Sequence, residues 1–171
     1  MAVVNPGDEV IIPTPYWVSY GDQVKMAEGV PVFVQAKEDN HFKVTVEQLE
    51  AARTDKTKVL VLNSPSNPTG MIYSREELMA IGNWAVAHDV LILADDIYGR
   101  LVYNGNEFVP ISSLSEAIRK QTIVINGVSK AYAMTGWRVG YAVGNPEIIA
   151  AMSKLTGQTT SNLTAVSQYA T

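Results

Sequence analysis

The chain has 171 residues, 47% of them hydrophobic and 18% charged, with a net charge of −4 and no cysteine. That length and balance fit about one ordinary globular domain with a sizeable core. They offer no basic run for nucleic acid or an anionic membrane surface, no thiol for a disulfide or a thiolate metal site, and no apolar stretch long enough to span a bilayer.

Asn5-Pro6-Gly7-Asp8 reads as a turn leading into a short apolar strand, Val10-Ile11-Ile12. Residues 17–28 read as a modest helix and residues 30–35 as a strand. Thr45 stands three positions before Gln48, the spacing of a capping box, and so opens a helix. Val59-Leu60-Val61-Leu62 is a buried strand. Ser74 and Glu77 make a second capping box, and Leu78, Ile81, Trp84 and Ala85 share one face of the helix that follows. Residues 90–94 and 122–126 are continuous apolar strands, and 138–143 is a further strand. Pro146 sits near the start of a last helix carrying Ile148, Ile149 and Met152. Strands apolar on both faces and alternating with helices imply an α/β sandwich of three layers, with a mostly parallel sheet covered on both sides.

Four segments carry chemistry. In Ser129-Lys130-Ala131-Tyr132-Ala133-Met134-Thr135-Gly136-Trp137-Arg138, the arginine follows the lysine by eight positions, just beyond an apolar strand. A pyridoxal phosphate (PLP) site needs such a pair: an amine to form an imine with the aldehyde and a guanidinium for the phosphate. Asn67, in Asn67-Pro68-Thr69-Gly70, lies in the loop after a buried strand, where α/β sheets collect ligands. Asp95 ends an apolar strand, where a carboxylate is costly unless paired, and a pyridinium nitrogen would pair with it. Tyr98, three residues on, can reach the ring's phenolic oxygen. Trp17, in Pro15-Tyr16-Trp17, offers an aromatic face for stacking.

Taken singly, each has a plainer reading. Asn67 fits a Pro/Gly turn, Asp95 or Asp96 a cap, Trp17 a core position, Lys130 and Arg138 a solvated surface. Tyr132, Trp137 and the preceding strand are expected to surround Lys130 with apolar groups and so activate its amine. His41 and His88 have no metal-ligand spacing, and no metal is expected.

Together the four segments, in this order and spacing, resemble the class I aminotransferases of PLP fold type I, in their bacterial aspartate and aromatic branch. The resemblance runs along nearly the whole chain from Asn5-Pro6-Gly7-Asp8 onward. It implies transfer of an amino group between an amino acid, aspartate or an aromatic one, and a 2-oxo acid. Lys130 would be the catalytic amine that binds the cofactor, and Asp95 would hold the pyridine nitrogen. Tyr98 and Asn67 would bond the phenolic oxygen, Trp17 would stack on the ring, and Arg138 would bind the phosphate. The family often has a phosphate-binding hydroxyl three residues before the lysine. That position is Gly127 here, and Ser129 is the expected substitute if the segment is extended. In the family's working form the peptide bonds at Thr14–Pro15 and Asn67–Pro68 are cis. Members are longer, so residues 1–171 are expected to be the central part of the large domain. The N-terminal segment and the small domain would lie outside them, and the isolated chain would be inactive. A homodimer is implied for the parent, with no nucleic-acid or membrane partner. Residues 1–9 lack the basic and apolar regions of a secretion signal, and a cytoplasmic location is expected. A PLP-dependent β-lyase and a non-catalytic module on this fold are the rival readings.

Overall fold

The computed structural model describes residues 1–171. Six strands, β1 (Glu9–Thr14), β2 (Val30–Gln35), β3 (Thr57–Asn63), β4 (Leu91–Asp95), β5 (Thr122–Gly127) and β6 (Gly140–Val143), form one sheet in the order β2-β1-β3-β4-β5-β6. The first five run parallel, and β6 is antiparallel to β5. The helices are α1 (Ser19–Met26), α2 (Val46–Ala52), α3 (Arg75–Ala87), α4 (Glu116–Lys120), α5 (Pro146–Thr159) and α6 (Ala165–Ala170). No helix is long and apolar enough to cross a membrane.

Both expected capping boxes form. Thr45 Oγ1 accepts from Gln48 N–H at 3.4 Å, while Gln48 Oε1 accepts from Thr45 N–H at 3.0 Å. Ser74 Oγ accepts from Glu77 N–H at 3.2 Å, while Glu77 Oε2 accepts from Ser74 N–H at 2.6 Å. Each pair satisfies donors that a helix start would otherwise leave bare. The face of α3 expected to be apolar is the buried one: Leu78, Ile81, Trp84 and Ala85 all lie in the core.

The sheet is unequally covered. One face, with Ile11, Leu60, Leu62 and Ile92, packs under α2, α3 and α4 in an 18-residue core. On the other face only α1 closes over Val10, Ile12, Val59 and Val61. The expected full cover on both sides is therefore corrected for β4–β6: α5 buries no residue, and Ile148, Ile149 and Met152 remain half-buried. The last predicted strand also begins two residues late, at Gly140, because Arg138 takes a left-handed backbone with φ 56° and ψ 45°. Two short helices, α4 and α6, were not anticipated. Neither exceeds six residues, too short for a helical period to declare itself.

The topology positions a site. From β1 the chain moves outward to β2, then returns on the far side of β1 to build β3, β4 and β5. Sheets that reverse their winding in this way leave a crevice at the carboxyl ends of the strands beside the reversal.

Candidate active site

Every predicted site residue lies at that crevice. Trp17, Asn67, Asp95, Tyr98, Ser129, Lys130 and Arg138 line one cleft of about 530 Å³. Four strand ends deliver all but Arg138, which stands in the segment leading into β6. The segment after β1 carries Trp17, the loop after β3 carries Asn67, and β4 ends on Asp95. The turn after β5 carries Ser129 and Lys130. The in-register pairing of Asn63 with Asp95, and of Asp95 with Ile125, sets these ends level. The bonds at Thr14–Pro15 and Asn67–Pro68 are cis as expected, and Ser64–Pro65 is cis as well.

Asn63 ties two of the ends together. Its Nδ2 donates to the Asp95 carbonyl at 2.9 Å, and its Oδ1 accepts from the Asn67 N–H at 2.7 Å. Asn67 Nδ2 then lies 3.4 Å from the Tyr98 hydroxyl, so the amide and the phenol present neighbouring donors to the cleft. Lys130 Nζ sits over the Tyr98 ring, 5.8 Å from its centroid.

The consecutive aspartates separate. Asp95, half-buried, lines the cleft and accepts from Tyr20 Oη–H at 2.5 Å and from Ile97 N–H at 3.2 Å. Asp96 points away and is 7% exposed. Burial, then the charge of Asp95, pushes its carboxyl up to about 7. The cleft therefore holds one carboxylate, and its neighbour bears at most part of a charge at neutral pH.

Two expectations need correction, and one rival reading falls. Lys130 is exposed, and so are Tyr132 and Trp137, so the lysine has no apolar enclosure. The cause is the poor cover over β5 and β6. Trp17 is not a core residue. It is 42% exposed and meets Tyr20 edge-on at 5.4 Å between centroids. Ser129 lines the cleft, but from a turn beyond the end of β5 rather than from an extended segment.

Gly127 has a steric reason. A Cβ there would stand 2.6 Å from the Val139 carbonyl oxygen across the β5–β6 ladder, a backbone atom that cannot swing aside. No hydroxyl side chain fits that position. Arg138 makes no ion pair. It is exposed, and its Nη1 donates to the Thr135 carbonyl at 2.9 Å, which leaves most of its donors facing outward.

Sequence reasoning missed Tyr20 as the partner of Asp95. The signal was its position three residues after Trp17 on a helix start, which puts both side chains on one face. Tyr20 is buried among Val10, Ile12 and Val24. Burial and the adjacent Asp95 charge hold its phenol far above the usual tyrosine range.

The donor set fits PLP. One amine, one carboxylate, two neutral donors side by side, one free guanidinium and one open aromatic face converge on a single cleft. No cluster of histidine and acidic residues could hold a metal ion.

Comparison with known proteins agrees. The family model described as "Aminotransferase class I and II" matches residues 1–171. An asparagine–oxo-acid transaminase of Streptococcus mutans is 76% identical over 169 residues, covering 99% of this chain and 43% of its own. An aspartate aminotransferase of Bacillus subtilis is 54% identical over 98% of this chain and 42% of its own. Among solved structures, the aspartate aminotransferase of Rhizobium meliloti superposes with a TM-score of 0.96 at 47% identity, covering 99% of this chain and 42% of that one. The aromatic aminotransferase of Pyrococcus horikoshii does so with a TM-score of 0.96 at 38% identity, covering 99% and 45%. The chain thus spans less than half the length of the relatives it matches. Over all of its own length it belongs to the class I and II aminotransferases, in their aspartate aminotransferase branch.

Proposed function

We propose that the parent protein transfers an amino group between an amino acid, aspartate or a close analogue, and a 2-oxo acid, using PLP held in this cleft. One observation carries the reading: an amine, a carboxylate and paired neutral donors at the ends of parallel strands share one crevice with an unpaired guanidinium. PLP, when bound, supplies an aldehyde that captures amines and a ring that withdraws electrons from the attached carbon.

The chain's residues divide the remaining work. Asp95 keeps a proton on the ring nitrogen, because a carboxylate beside a pyridinium favours its charged form. Asn67 Nδ2 and the Tyr98 hydroxyl donate to the phenolic oxygen. Arg138 neutralises the phosphate, with the Ser129 hydroxyl as a further donor. Trp17 covers a ring face. The Lys130 amine would hold the aldehyde carbon and, as a base, would carry the proton taken from the substrate Cα.

The substrate side rests on relatives named for asparagine, aspartate and prephenate transamination. We further propose that residues 1–171 are the central part of the large domain of a homodimer. By themselves they would turn over little. Arg138 is the only arginine in the cleft, and a substrate carboxylate needs a second.

The test is borohydride reduction of the chain incubated with PLP, followed by peptide mapping. A reduced adduct on Lys130 supports the reading, and an adduct on Lys120 or Lys154 instead overturns it. Glutamate formation from 2-oxoglutarate with aspartate or asparagine then separates amino transfer from elimination, which releases ammonia.

A further inference from the structure

The Tyr20–Asp95 pair is not among the groups assigned above to the cofactor or the substrate. Tyr20 lies 75 residues before Asp95, on the first turn of α1, and its hydroxyl reaches Asp95 Oδ2 at 2.5 Å. It is 7% exposed, wedged against the β1 and β3 side chains of the smaller core. Asp95 Oδ1 takes the Ile97 N–H at 3.2 Å. A carboxylate has about four acceptor positions, so two remain for a donor entering from the cleft.

We propose that Tyr20 is a positioning residue for the ring nitrogen of PLP: its hydroxyl is a fixed donor that orients Asp95, so that the free lone pairs of the carboxylate face the ring N–H. The inference rests on the reading of the cleft as a PLP site.

Two donors fix a carboxylate plane where one does not. With the Ile97 N–H as its single donor, the carboxylate could turn about its last bond and swing its free lone pairs away from the cleft. A phenol donating to the other oxygen, by a charge-assisted bond, holds both oxygens at once and fixes that plane. The donor must itself stay protonated. Burial and the Asp95 charge both favour the neutral phenol, so Tyr20 remains a donor throughout the ordinary pH range. Its ring is clamped on the outer side by core residues and on the cleft side by the Trp17 edge, which fixes the direction of donation. No other side chain bonds to the Asp95 carboxylate.

The experiment uses Tyr20→Phe, which keeps the packed ring and removes only the hydroxyl. Binding of PLP is compared with binding of its carbocyclic analogue, in which C–H replaces the ring nitrogen. Both are followed by quenching of tryptophan fluorescence, with far-UV circular dichroism to confirm folding. The expected result is about tenfold weaker PLP binding in Tyr20→Phe, because the freed carboxylate makes a poorer charge-assisted bond to the ring N–H, with affinity for the analogue unchanged. In an Asp95→Ala background the same substitution is expected to change neither affinity. Equal losses for PLP and the analogue would mean that Tyr20 merely shapes the cleft, and the inference fails. Unchanged PLP affinity in Tyr20→Phe overturns it too. If the unsubstituted chain binds no PLP, the reading of the cleft fails first, and this inference with it.

Discussion

Asp96 offers a test of how the two aspartates at the end of β4 differ. Its carboxyl is raised from 3.8 to about 7, first by burial and then by the charge of Asp95. The sign follows from proton uptake. Between those two values the unfolded chain has released the proton and the folded chain still holds it. Folding then binds a proton, so stability falls as pH rises, beginning near 3.8 and ending above about 7. Fully developed, the penalty is on the order of 4 kcal/mol, of which about 3 kcal/mol accrues between about pH 4.5 and about pH 8.5. Asp96→Asn removes it. A buried amide without a partner costs about 1–3 kcal/mol, but by the same amount at every pH. The assay is urea denaturation of both chains across that pH range, followed by tryptophan fluorescence. The stability of the original chain minus that of Asp96→Asn is expected to fall by about 3 kcal/mol from the acid end to the alkaline end. Parallel pH profiles would refute the reasoning. They would mean that water or an unrecognised donor solvates Asp96 and that the cleft lies beside two full charges.

Three other outcomes are expected. Lys130→Ala should eliminate the visible absorbance of the lysine-bound cofactor while weaker noncovalent PLP binding persists, as spectrophotometric titration will show. In the full-length parent, Asp95→Asn should retain PLP yet slow proton removal from substrate by orders of magnitude, whereas Asp96→Asn should leave single-turnover rates nearly unchanged; a reversal would exchange the roles of the two residues. Gly127→Ser should destabilise the chain by about 1–3 kcal/mol and weaken PLP binding, because its Cβ meets the Val139 carbonyl at 2.6 Å. Thermal denaturation and PLP titration measure both effects.

The sequence by itself determined the elements whose signal is local. Val59-Leu60-Val61-Leu62 has no polar residue to break it, and Thr45/Gln48 and Ser74/Glu77 state their helix starts through side-chain-to-backbone bonds made within three residues. It also named the seven groups of the cleft, because each stands just past the end of a strand or in a loop with its own turn chemistry. What it could not supply is anything decided by a distant neighbour. The antiparallel course of β6 puts Val139 against Gly127, and only that pairing explains the missing hydroxyl. The one-sided cover over β5 and β6 leaves Lys130 open, although the residues around it in sequence are aromatic. Asp95 and Asp96 are identical in sequence terms. They diverge because successive side chains of a strand leave on opposite faces, so that one meets the cleft and Tyr20 while the other enters a buried space beside a like charge. The Tyr20–Asp95 bond joins residues 75 positions apart, and parallel strand order alone brings them within 2.5 Å.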